Sequence, residues 1–173
     1  GISGGYLPLS LVLSRGAIYE AFLDDDVARG FLHSHSYSGN ALACRAALAV
    51  LDRFEEDDVL GRNQQQAAAL TSALAPLASD PRIEHVRRRG MIWAFDVREE
   101  HAGPRFAERF QLAGRAHELL IRPIGRSVYL LPPYVLDNDL STWLAQRVQS
   151  TLHEALESTS PDDSDRSPEP PTA

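Results

Sequence analysis

The first apolar run, LPLSLVL at 7–13, is short and continuous and follows a turn rich in glycine (Gly1, Gly4, Gly5). That pattern predicts a buried strand of a sheet. RGAIYEAFLDD predicts a short helix with Ile18, Phe22 and Leu23 on its apolar face, broken at Gly30. FLHSHSYSG then reads as a strand running into a loop, and Asn40 has the chemistry of a helix N-cap. From Ala41 the apolar positions Leu42, Ala46, Ala49, Val50 and Phe54 recur at spacings of three and four, which predicts a helix whose alanines allow close packing.

After the acidic break EEDD, residues 61–77 predict a second helix, rich in Gln and Ala and ended by Pro76 and Pro81. Residues 83–89 and 91–97 predict two strands joined at Gly90, the first alternating Ile83, His85 and Arg87 with Glu84 and Val86. A short helix is expected over 104–114, then LLIRP and SVYLLPP as two short strands joined by IGR. The last helix, 137–157, carries Leu140, Leu144, Val148 and Leu152 on one stripe, and STSPDDSDRSPEPPTA has the composition of a disordered tail. The order of elements places 1–50 at the end of an α/β domain and 58–157 in a compact α+β domain, joined by the helix after Asn40.

Composition narrows the class. Of 173 residues 43% are hydrophobic, enough for a real core. No apolar run approaches the roughly 20 residues of a membrane helix, and no signal-peptide pattern opens the chain. The single cysteine, Cys44, excludes an internal disulfide and fits a reducing compartment, the cytoplasm. The net charge of −7 argues against nucleic acid, and the tail, where Asp162, Asp163, Asp165 and Glu169 face Arg166, accounts for three of those charges. All 17 basic residues are arginine. A genome rich in G and C is reason enough for that bias, yet it leaves no lysine amine for a Schiff base. Gly1 opens directly into an ordered-looking segment and Met91 is the only methionine, so the chain is expected to be a piece whose upstream part is missing.

Three stretches carry candidate chemistry. In HSHSYSGN, His33 and His35 would point the same way on a strand, with Cys44 as a conceivable third metal ligand. But Cys44 falls in an apolar helix, where a free cysteine is usually a small buried hydrophobe. No CxxC, HExxH or carboxylate cluster completes a tetrahedral set, so no metal site is expected. Ser36, Ser38, Gly39 and Asn40 at a helix entrance suit an anion, because the first turn presents unpaired N–H groups and a positive dipole end. Spacing alone favours a plain capped turn. RPIGRSVYLLPPY gathers Arg122, Arg126, Tyr129 and Tyr134 around tight turns, and an arginine stiffened by proline suits carboxylate capture, although a surface arginine is the simpler reading. RRRG at 87–90 marks strand edges, and Trp93 and Trp143 read as core or interface.

Taken together, GISGGYLPLS, FLHSHSYSGNALACRAALAVLD, VRRRGMIWAFDV and LLIRPIGRSVYLLPPY resemble, in order and spacing, the class III pyridoxal-phosphate aminotransferases. The resemblance covers roughly residues 1–157. It implies an α/β fold, the C-terminal part of a fold-type I PLP-dependent transferase. Residues 1–57 would be the end of the large cofactor-binding domain with its connecting helix, 58–157 a small α+β domain, and 158–173 a disordered tail. The cofactor implied is pyridoxal 5'-phosphate. In the family a lysine in S-K-G-(hydrophobic)-(small)-G-G holds it, and that lysine is expected immediately before Gly1, so no catalytic residue is assigned within this chain.

By the same resemblance, His35 and Ser36 touch the cofactor phosphate across the interface of a homodimer with shared active sites. Ser34 takes a position used against substrate, Arg122 pairs with a substrate carboxylate, and Tyr129 stands near it. HSHSYSGNALAC with IRPIGRSVYLLPPY resembles the biotin-synthesis branch of the family. There S-adenosylmethionine donates an amino group to 8-amino-7-oxononanoate to give 7,8-diaminononanoate. Serine at 34, often glycine in the family, and serine rather than threonine at 36 depart from its pattern. Other amino donors, ω-amino acid or diamine substrates, or a non-catalytic dimerisation piece remain open. A domain cut in this way is also expected to be poorly soluble, because its strand edges are exposed.

Overall fold

A computed structural model describes residues 1–158, so the tail read as disordered lies, from residue 159 on, outside the described residues. The chain divides into two compact units, 1–59 and from Leu60 onward. Among the described residues no helix is long and apolar enough to cross a membrane.

The first unit contains α1 (Gly16–Glu20), a single 3-10 turn (Val27–Arg29) and α2 (Ala41–Glu56). Gly4, at φ 64, lets the opening turn approach α2, where a Cβ would lie 3.1 Å from Val50. Several expectations fail here. LPLSLVL forms no strand and Leu11, Val12 and Leu13 are exposed, because a strand needs a second strand to complete its ladder and none of the strands described lies in this unit. FLHSHSYSG is likewise unpaired, without regular structure to His35 and then a turn over 36–39. Helix α1 buries nothing, leaving Ile18, Phe22 and Leu23 in solvent. On α2 the buried positions are Ala43 and Ala47, flanked by half-buried Ala46, Val50 and Phe54, while Leu42 is 75% exposed. Cys44 shares the exposed side, contrary to its expected burial.

The second unit runs α3 (Val59–Ala73), α4 (Ala75–Ala78), β1 (Ile83–Arg89), β2 (Ile92–Val97), α5 (Glu99–Ala102), α6 (Phe106–Ala116), β3 (Ser127–Leu130) and α7 (Asn138–Glu157). The helix expected over 61–77 divides in two before Pro76, which has no N–H to continue the ladder. The strands form one antiparallel sheet in the order β1-β2-β3. Arg89 pairs with Ile92, which leaves Gly90 (φ 57) and Met91 as a two-residue hairpin loop. Along β2 the period of two buries Trp93, Phe95 and Val97, and β3 adds Val128 and Leu130 to the same core. Phe106 and Phe110 on α6, with Val148, Leu152 and Ala155 on α7, complete it. Burying a side chain such as Phe110 fully stabilises the fold by about 1.5–3 kcal/mol.

The alternation read for β1 breaks. The pairing shifts between Glu84 and Arg87, His85 adopts φ 51, and Ile83 is the strand's one fully buried residue. LLIRP is not a strand either: Ile124 makes a single bridge to Ser127, and Pro123 lacks the N–H that a ladder would use. Helix α7 does carry its apolar stripe, with Val148 and Leu152 fully buried, but Leu140 in its first turn is exposed.

Candidate functional site

In the first unit the HSHSYSGN stretch is a capped turn. The Asn40 side chain accepts from the amides of Leu42 (3.0 Å) and Ala43 (3.2 Å), as its identity as N-cap required. The Ser38 amide donates to the His35 carbonyl at 2.9 Å and the His35 amide donates to Ser38 Oγ at 3.1 Å, closing the turn. Gly39 takes φ 71, a left-handed conformation that a side chain would strain. His33 and His35 meet edge to face with ring centroids 4.9 Å apart.

Ser34, His35 and Ser36 are exposed, and the amides of Ser36, Tyr37 and Gly39 have no protein acceptor among the described residues. No acidic residue stands in the first turn of α2. A hydroxyl, open amides and a positive helix end together suit an anion.

In the second unit Arg122 and Tyr129 come together by a turn. Ile124 and Ser127 exchange both backbone hydrogen bonds at 3.0 Å, leaving Gly125 (φ 58) and Arg126 as the loop. Arg122 lies two residues before this bridge and Tyr129 two residues after it. Both line a groove of about 430 Å³ whose other walls are residues 119–121 and 130–133 and, from α7, Leu140, Trp143 and Leu144. Arg122 is the one charged residue in that lining.

The two arginines of RPIGR have different fates. Arg126 donates to Glu84 Oε1 (2.8 Å) and to the Val97 carbonyl (2.9 Å). That hydrogen bond holds the Glu84 carboxyl below its usual range and raises the guanidinium. Arg98 joins the same carboxylate at 3.3 Å. Arg122, by contrast, pairs with no carboxylate among the described residues. A charge beside apolar walls and without a protein partner is available to a ligand anion.

Sequence reasoning missed Trp143 as part of this groove. Its position three residues after Leu140, on the same side of α7, was the available signal. It also missed the cluster on β2, where Ser127, Arg87 and His85 surround Asp96.

The aminotransferase class-III family model matches residues 1–152. The chain belongs to the class-III aminotransferases. It is 40% identical over 148 residues to the adenosylmethionine-8-amino-7-oxononanoate aminotransferase of Helicobacter pylori, covering 80% of this chain and 33% of that protein. The solved structure of the enzyme of that name from Methanocaldococcus jannaschii superposes with a TM-score of 0.74 at 29% identity, over 89% of this chain and 37% of the other. An amine transaminase from an uncultivated Pseudomonas species, solved in its PLP-bound form, gives 0.74 at 31% identity over 91% and 36%.

This class-III chain thus spans about a third of the length of the relatives it matches. Its fold is that of the C-terminal part of a fold-type I PLP-dependent transferase, as the resemblance implied. Class-III aminotransferases use pyridoxal phosphate as cofactor, in agreement with the expectation from sequence.

Proposed function

We propose that the protein carrying this chain is a cytoplasmic, homodimeric aminotransferase of biotin synthesis, moving an amino group from S-adenosylmethionine to 8-amino-7-oxononanoate. The observation that carries this reading is Arg122, an uncommitted guanidinium in a largely apolar groove that Tyr129 also lines. A long aliphatic acid has the matching chemistry: a carboxylate for the arginine and methylenes for the leucine and tryptophan walls. The relatives' names support the same substrates.

Bound pyridoxal phosphate supplies an electron sink for the carbon that gains or loses the amino group. Ser36 Oγ and the open amides of the 36–39 turn fit its phosphate, with His35 shaping the turn and Ser34 facing substrate. The exposure of the whole turn supports its use by a partner subunit's site. Arg122 orients the oxo acid through charge-assisted hydrogen bonds, each worth about 1.5–3 kcal/mol, with Tyr129 in the same lining.

The test is Arg122→Gln in the protein as expressed from its gene, with the two half-reactions followed separately. The acid half-reaction should fall at least about tenfold in kcat/KM, as one such bond implies, while the donor half-reaction stays unchanged. Equal loss in both would sink the role of Arg122, and no turnover with S-adenosylmethionine would sink the donor assignment, with lysine as the alternative donor. A diamine or amine substrate is the second reading, favoured by the likeness to the Pseudomonas amine transaminase. Such substrates carry no carboxylate, so Arg122→Gln would then leave their own half-reaction intact.

A further inference from the structure

Trp143 stands on α7, half-buried, as one wall of the groove. One turn later Arg147 lays its guanidinium over the indole, 5.5 Å from the ring centroid. The same guanidinium is held by Glu118, whose Oε2 accepts from Arg147 Nη2 at 3.1 Å. Glu118 sits where α6 ends, in a left-handed conformation at φ 61 that L residues other than Gly, Asn and Asp seldom adopt. Its amide donates to the Arg115 carbonyl at 3.2 Å, and the next amide, Leu119, donates to the Gly114 carbonyl at 2.7 Å.

That backbone sends the chain out of α6 directly into residues 119–121, the facing wall of the same groove. Glu118 therefore begins one wall and grips, through Arg147, the indole of the other. Both charged side chains are solvent-accessible, 70% for Glu118 and 37% for Arg147, so the pair adds little to stability. What it can supply is a bias in orientation, because the guanidinium held by Glu118 also lies over the Trp143 ring.

We infer that Trp143 is a specificity-determining residue for the aliphatic part of the acid anchored at Arg122, and that Arg147 and Glu118 are its positioning residues. The inference rests on the reading of Arg122 as a carboxylate anchor. The indole covers methylenes between the charged end and the reacting carbon, and the Glu118–Arg147 pair sets how closely it does so.

The test uses the protein as expressed from its gene. Trp93 is buried and donates to Thr71 Oγ1 at 3.1 Å, so the part of a ligand-induced emission change that Trp143→Phe removes is the signal of Trp143. Straight-chain monocarboxylates from pentanoate to nonanoate, each with its matching amide, serve as probes. Affinity should rise about fourfold per added methylene, the gain of burying one CH₂, and Trp143→Phe should diminish the emission change while retaining binding measured by calorimetry. Trp143→Ala, or Trp143→Leu if the alanine variant melts early by circular dichroism, should flatten the dependence on chain length to less than twofold per methylene. Glu118→Gln and Arg147→Met should weaken nonanoate several-fold, with Arg147→Lys recovering part of the loss.

An unchanged chain-length dependence in Trp143→Ala and Trp143→Leu overturns the inference, as does an undiminished emission response in Trp143→Phe. If Arg122→Gln abolishes the preference for carboxylate over amide while the Trp143 variants change nothing, only the role of Trp143 fails. If Arg122→Gln leaves that preference intact, the anchor itself fails.

Discussion

The two units draw on the same apolar alphabet and treat it in opposite ways. In the second, Leu70, Phe110, Val128, Val148 and Leu152 are shielded completely, and each belongs to an element whose period meets a partner's. In the first, the only hydrophobic side chains among the described residues to reach full burial are the alanines Ala43 and Ala47, while Val12, Leu32 and Tyr37 stand in water. An apolar run therefore specifies a strand only in combination with a second run that can share its hydrogen bonds. Helix α2 forms without that help, because its ladder is internal and Asn40 caps it. Among the described residues, the apolar runs of the second unit meet partners and those of the first do not.

The largest break in this comparison should come from Phe110→Ala. It opens a cavity in the α6–α7 core and should cost about 3–5 kcal/mol in denaturant unfolding of the chain. Amide exchange should show the same contrast without mutation, with β2 and α7 protected far longer than residues 7–35. Equal exchange across both would refute the difference drawn between the units.

Acid comes next. Burial pushes the Asp96 carboxyl up, but hydrogen bonds from Ser127, Arg87 and His85 outweigh it and hold it below its usual range. A hydrogen bond from Arg82 does the same for Asp80 against a smaller effect of burial. Folded values below the unfolded ones mean that both carboxyls stabilise the second unit fully above about pH 5, where the unfolded groups are already ionised. That contribution is lost as pH falls through the folded values. A stability that is flat from pH 5 to pH 2 would contradict this assignment.

Asn40→Ala should remove about 1 kcal/mol from α2, read as a loss of helix signal that Asn40→Ser largely restores. Leu11→Ala should be the smallest change, within about 0.5 kcal/mol. A larger loss would show that the first unit buries more than its surface suggests.

What could be read from the sequence follows the same division. The β1–β2 hairpin, the course of α7 and the Asn40 cap were legible because Gly90, a period of three and four, and an amide before an alanine run act over a few residues. The exposure of LPLSLVL and of Cys44 was not, since burial depends on what lies across from a residue. Arg122 and Arg126 look alike in RPIGR, and only Glu84, forty-two positions earlier than Arg126, separates an occupied guanidinium from an available one. The division of the 61–77 helix was announced by Pro76, whose missing N–H counted for more than the alanines around it.

The short loop at Gly125 has a consequence for how such a gene can vary. The facing of β3 is set by its pairing with β2, where Val128 lies against Phe95 and Tyr129 against Ala94. A codon inserted between Ile124 and Ser127 would therefore be taken up by the loop, leaving Val128 and Leu130 buried and moving only the approach of Arg122. The loop is thus a place where such a gene can retune the reach of its arginine without touching the core.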